Sequence, residues 1–118
     1  MSANAVSDEQ QTQWIEVCDK NALDSDTGVC ALINGKQIAV FYVGKLDEVF
    51  AIDNYDPIGK ANVLSRGIIG TQGEHICVAS PLYKEHYDLR TGECLENSDI
   101  RVTAYAVKIE NGKVLIAV

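Results

Sequence analysis

The sequence predicts an all-β protein, an antiparallel β-sandwich or partly open barrel, and three observations support that class. Short apolar runs recur with turn residues about every 8 to 12 positions, the rhythm of such folds. Two Asn-Gly dipeptides, Asn34-Gly35 and Asn111-Gly112, sit between such runs, and Asn-Gly accepts the positive φ angles of a tight hairpin turn. No window carries a long apolar repeat at helical spacing.

Taken in order, residues 1–12 are polar. Ser7 to Gln10 has capping-box spacing, but a frayed tail is the expectation, followed by a single domain over residues 13–118. Strand signals begin at Gln13. "VCALINGKQIAVFYV" forms the first hairpin, and "EVFAID", "EHICVAS" and "EHYDL" are each short enough for a strand. Thr91-Gly92 is a further turn. In the closing hairpin Tyr105, Val107 and Ile109 alternate with smaller or charged residues, as do Val114, Ile116 and Val118, so one face of each strand is expected inside. About eight strands result. The long irregular segment "NYDPIGKANVLSRG", residues 54–67, contains "ANVLS" as a candidate helical turn; loops of this length are usually functional or tied down.

The totals narrow the partners. A chain of 118 residues can bury roughly 65 to 70% of its unfolded surface without a staple, so metal and disulfide are optional for folding. A net charge of −7 argues against nucleic acid and against an anionic membrane, both of which require clustered Lys and Arg. The opening has neither a basic start nor an apolar core, and no apolar run is long enough to span a bilayer, so the chain is read as cytoplasmic. Cys18, Cys30, Cys77 and Cys94 lie far apart without a Cys-x-x-Cys pair; they are expected to be free and buried, with no disulfide partner.

Two stretches carry a resemblance. "DNYDPIG" and "VASPLYKEHYDLRTGECL" resemble the two cluster-binding loops of the Rieske iron-sulfur family, the first reading Cys-x-His and the second Cys-Pro-x-His before an aromatic strand and "DLRTG". Asp56 stands in the first cysteine place and Ile58 in the first histidine place, with Pro57 between them. Ser80 and Tyr83 replace the second cysteine and histidine, while Pro81, Leu82, Tyr87, Asp88, Leu89, Arg90, Thr91 and Gly92 keep their family places. A Rieske centre needs two thiolates and two imidazoles. The degenerate positions Asp56, Ile58, Ser80 and Tyr83 offer one anion, two neutral hydroxyls and an alkyl group, so the expectation is no metal, no cofactor and no catalytic residue on this chain.

Loss of all four ligands is similar to what is found in the small-subunit group of bacterial NADH-dependent assimilatory nitrite reductases. That resemblance implies a non-catalytic subunit of a nitrite-to-ammonium reductase, docked on a large subunit that carries FAD, siroheme and an iron-sulfur cluster. The alternative is a stand-alone electron-transfer ferredoxin with an unconventional iron site that includes His75 and Cys77, which lie two apart on a predicted strand and so share a face. A half-buried His beside a packed Cys is the plainer reading. His86 and Asp88 share a face in the same way and are expected as a hydrogen-bonded structural pair.

Ile58, Leu82 and Tyr83 are expected to pack together and hold the two loops where metal bonds are missing; the other role open to Tyr83 is to meet a partner. Residues 59–92 hold Lys60, Arg66, Lys84 and Arg90 against Glu74, Glu85 and Asp88, the least acidic part of the chain. Tyr83, Lys84 and Arg90 are therefore the candidate partner-binding residues.

Overall fold

The computed structural model describes residues 13–118, so the expected tail and its capping-box spacing lie outside the described residues. Its strands are β1 (Trp14–Asp19), β2 (Thr27–Ile33), β3 (Lys36–Val43), β4 (Glu48–Asp53), β5 (Tyr55–Asp56), β6 (Ala61–Asn62), β7 (Ile68–Gln72), β8 (His75–Ala79), β9 (His86–Asp88), β10 (Ala104–Tyr105), β11 (Val107–Glu110) and β12 (Lys113–Ala117). They form sheets ordered β10-β4-β3-β2, β1-β12-β11 and β7-β8-β9, plus the small ribbon β5-β6. The strand pairs are antiparallel.

The β3–β4 layer is covered on both faces. Ala39, Phe41 and Val43 with Phe50 and Ile52 pack against Ile76, Val78, Tyr87 and Leu89. Ile38, Val40 and Ala51 face the other way, onto Val114 and Ile116. Double coverage is why "IAVFYV" reads as an unbroken apolar run rather than an alternating one. Both predicted hairpin turns form, with positive φ at Asn34, Gly35, Asn111 and Gly112. Gln13 and Val118 exchange reciprocal backbone hydrogen bonds of 3.2 and 3.0 Å, extending the β1–β12 ladder by one pair.

The closing hairpin departs from expectation. The chain changes sheets at Ala106: Tyr105 pairs with Ala51 of β4, whereas Val107 pairs with Ile116 of β12. Val114 and Ile116 are fully buried, but Ile109 is exposed, because β11 is an edge strand with one neighbour.

The long segment after β4 is tied down by Asn54, a buried residue that sequence reasoning missed. Its backbone N–H donates to the Gln37 carbonyl (3.1 Å) and its side-chain amide donates to Gln37 Oε1 (3.0 Å). Its own two oxygens accept the N–H groups of Leu64 (3.0 Å) and Ser65 (2.7 Å), which begin a 3-10 turn over Leu64–Arg66 that overlaps only the end of the expected "ANVLS" turn, Ala61–Asn62 being strand β6. A single asparagine thus closes the loop at both ends, around residues 55–63 that carry the β5–β6 ribbon.

Candidate functional site

Three turns of one design build the site. In "DPIGK", "SPLYK" and "DLRTG" the first residue's carbonyl accepts the N–H of the fifth: Lys60 to Asp56 (2.6 Å), Lys84 to Ser80 (3.0 Å) and Gly92 to Asp88 (2.7 Å). In each, the first side chain also accepts the N–H two residues on, at 2.9 Å for Ile58, 3.3 Å for Leu82 and 2.7 Å for Arg90. Asp and Ser close such turns because their short side-chain oxygens reach the local backbone. The fifth residue is left-handed every time, with φ of 59° at Lys60, 65° at Lys84 and 83° at Gly92. Only the third turn has no room for a side chain there, since a Cβ on Gly92 would lie 2.0 Å from the Val102 carbonyl oxygen.

The first two turns are joined through their opening residues. Ser80 donates to Asp56 Oδ2 at 2.5 Å, and the Tyr87 hydroxyl donates to Asp56 Oδ1 at 2.9 Å; all three side chains are buried. With the N–H groups of Ile58 and Gly59, the carboxylate accepts four hydrogen bonds. Burial acts to raise the Asp56 pKa, but the bonds from Ser80, Gly59, Tyr87 and Ile58 prevail and hold it below the ordinary value. Burial and the adjacent carboxylate push the Tyr87 hydroxyl far above its ordinary range, so it remains a donor. Leu82 adds apolar contact, resting where a Cβ on Gly59 would stand 2.5 Å from its Cδ1.

The expected apolar clasp is therefore corrected in part. Ile58 packs against the main core cluster, but Leu82 is 45% and Tyr83 66% exposed, so Tyr83 does not pack inward. The junction is mainly polar, because Asp56 and Ser80 fall opposite each other and satisfy one another. Arg90 is not brought together with Tyr83 and Lys84. It lies beyond the other end of β9, where it pairs with both carboxylate oxygens of Glu48 (3.1 and 3.0 Å) and stacks over Phe50.

The remaining candidates resolve separately. His75 Nδ1 bonds Asp88 Oδ2 at 2.6 Å, while the thiol of buried Cys77 turns to the Gly70 carbonyl. His86 does not bond Asp88; its Nδ1 lies 2.6 Å from Glu96 Oε2 and its Nε2 3.3 Å from Gln72. The four cysteines are free, yet Cys30 is exposed and Cys18 only half-buried, contrary to the expected burial, because both stand on edge strands. Beside the Ser80–Lys84 turn opens a cleft of about 440 Å³ lined by Arg66, Ile68, Ala79, Ser80, Pro81, Lys84 and His86. Arg66 and Ile68 belong to the sites that sequence reasoning missed; the charge count over 59–92 was the only signal for Arg66.

A family model of the Rieske-like [2Fe-2S] domain matches residues 13–117. The chain belongs to the Rieske-like family. Among similar proteins is the nitrite reductase (NADH) small subunit of Salmonella typhimurium, 41% identical over 87% of this chain and 95% of that one. The Rieske-like fold also matches the solution structure of the Escherichia coli protein NirD with a TM-score of 0.83 and 37% identity, covering 91% of this chain and 97% of that one. A third relative is the nitrite reductase [NAD(P)H] large subunit of Klebsiella oxytoca, 43% identical over 87% of this chain but only 11% of the larger protein.

The donor set does not fit the family's cluster. Two irons need two thiolates and two imidazoles. Asp56 and Ser80 are bonded to each other and to the surrounding backbone, Ile58 has no lone pair, and Tyr83 stands exposed at the surface with neither a thiol nor an imidazole. Among the described residues no group of three or more His, Cys, Asp or Glu side chains is arranged to hold a metal ion. Nor is any helix there long and apolar enough to cross a membrane.

Proposed function

We propose that this chain is the small, non-catalytic subunit of an NADH-dependent nitrite reductase, serving the reduction of nitrite to ammonium in nitrate and nitrite assimilation in the cytoplasm. It docks on a large subunit that carries FAD, siroheme and an iron-sulfur cluster, and binds no cluster itself. One observation carries the reading: the same domain occurs as a separate small subunit in Salmonella and within the large subunit in Klebsiella. A domain that is free in one organism and joined to its partner in another works beside that partner, since joining raises its effective concentration there without altering its own contacts.

The chemistry of the two turns supports a structural role for this chain. Asp56, Ser80 and Tyr87 preserve the geometry of a cluster-binding tip with hydrogen bonds, and the tip presents Leu82, Tyr83 and Lys84 to a partner. Tyr83 and Lys84 remain the candidate contact residues, with Arg90 holding the β9 turn to β4. Purification beside the large subunit tests the reading. The two chains should co-elute, and the small chain alone should be colourless and free of iron. A red-brown small chain with stoichiometric iron and acid-labile sulfide would favour the electron-carrier alternative built on His75 and Cys77.

A further inference from the structure

We infer that the cleft between Arg66, Ile68 and the Ser80–Lys84 turn receives a carboxylate side chain carried on an apolar segment of the large subunit; the inference rests on the docking proposed above. The chain holds 17 acidic residues against 10 Lys and Arg, yet no acid lines this cleft, which Arg66, Lys84 and His86 border. Of the other cations, Lys20, Arg90, Lys108 and Lys113 are matched to Asp47, Glu48, Glu110 and Asp19, while Lys36, Lys45, Lys60 and Arg101 make no salt bridge among the described residues, so what sets this cleft apart is two such cations on one acid-free lining. Neither the Arg66 guanidinium nor the Lys84 ammonium makes a salt bridge to any described residue.

Both cations stand on backbone already fixed. Lys84 closes its turn onto the Ser80 carbonyl, and the Arg66 N–H donates to Val63 in the 3-10 turn that Asn54 anchors. His86 is held by Glu96 and Gln72. A fixed backbone leaves only the side-chain rotamers to be ordered when a partner arrives, and a guanidinium receives a carboxylate through two parallel bonds. The surroundings are apolar: Ile68 is 77% exposed, and Leu82 and Tyr83 stand bare on the neighbouring turn. A small oxyanion would leave that surface wet, whereas an acidic residue with apolar neighbours covers it, the arrangement of a charged contact set in an apolar patch. A second copy of a chain with net charge −7 is the less suited occupant, because its long-range field is repulsive.

The affinity of the purified large subunit, with its cofactors, is measured for the wild-type chain, Arg66→Gln/Lys84→Gln, Arg66→Glu/Lys84→Glu, Ile68→Ser and the remote control Lys36→Gln, at low and moderate salt. Thermal melting shows that each variant is folded. The expected result is a dissociation constant raised about tenfold or more by the double Gln variant at low salt, further by the double Glu variant, and unchanged by Lys36→Gln. Wild-type affinity should fall with salt and the variants' affinity should fall less. Equal affinity of wild type and charge variants overturns the cleft assignment and leaves docking intact; no affinity even for wild type overturns both. Sedimentation that shows a dimer lost in the charge variants, or nitrite and acetate titrations that shift the Arg66 and Lys84 amides while large-subunit affinity is untouched, would likewise overturn it in favour of a second copy or a small anion.

Discussion

Truncating Asp56 to Ala removes the acceptor of four hydrogen bonds from a fully buried site. The N–H groups of Ile58 and Gly59 are half-buried and can regain water, but the Ser80 and Tyr87 hydroxyls are sealed. Each sealed donor left unpaired costs about 1–3 kcal/mol, so Asp56→Ala should lose about 4 kcal/mol. That is a large fraction of the roughly 5–15 kcal/mol that holds a domain together. At about 4–8 °C per kcal/mol, the melting temperature should fall by roughly 16–32 °C. Asp56→Asn should be milder, about 1–2 kcal/mol, because its oxygen still serves Tyr87 and the backbone while Ser80 turns to accept from the amide.

Urea unfolding of the three proteins measures both losses, with an unchanged slope certifying that only stability moved. Below 1 kcal/mol for Asp56→Ala, or equal losses for Ala and Asn, the polar junction would not be what holds the loops. Acid supplies a second readout. The folded Asp56 pKa is depressed, so its contribution is complete above the ordinary value of 3.8 and disappears as pH falls through the lower folded value. The gap between wild type and Asp56→Asn should therefore shrink as pH drops below about 4.

Ile58→Asp should lower the melting temperature by several degrees, since it puts a charge against the main core cluster, whereas Tyr83→Ala should change stability by no more than about 0.5 kcal/mol and weaken large-subunit binding instead. A thermal shift and a binding titration on both variants separate the two roles. Gly92→Ala should destabilise by about 2 kcal/mol or more in urea unfolding, because it adds a Cβ against the Val102 carbonyl at a φ of 83°.

The β framework was legible because its signals are local: Asn-Gly turns, and apolar runs whose length and spacing say strand. The sheet change at Ala106 was not, since nothing in "TAYAVKIE" marks that Tyr105 and Val107 find different neighbours. At the site, the sequence set Asp56 and Ser80 in the two cysteine places but could not show that they meet. Their contact spans 24 residues and depends on how two loops are carried by different sheets. Ile58 suggested an apolar clasp through its own side chain, and Leu82 does meet the first loop at Gly59, while Tyr83 was drawn into that expectation by proximity in sequence alone. Arg90 looked like a surface cation until the fold set Glu48 beside it, 42 residues away in the chain.

Because Gln13 and Val118 face each other across one ladder rung, polypeptide leaving in either direction emerges at a common point on the surface. A tether attached ahead of Gln13 and one attached behind Val118 would have the same anchorage and sweep the same volume. Order of genes along a fused reading frame is thereby uncoupled from the pose the domain can take, and a graft at either end leaves the β3–β4 interior undisturbed.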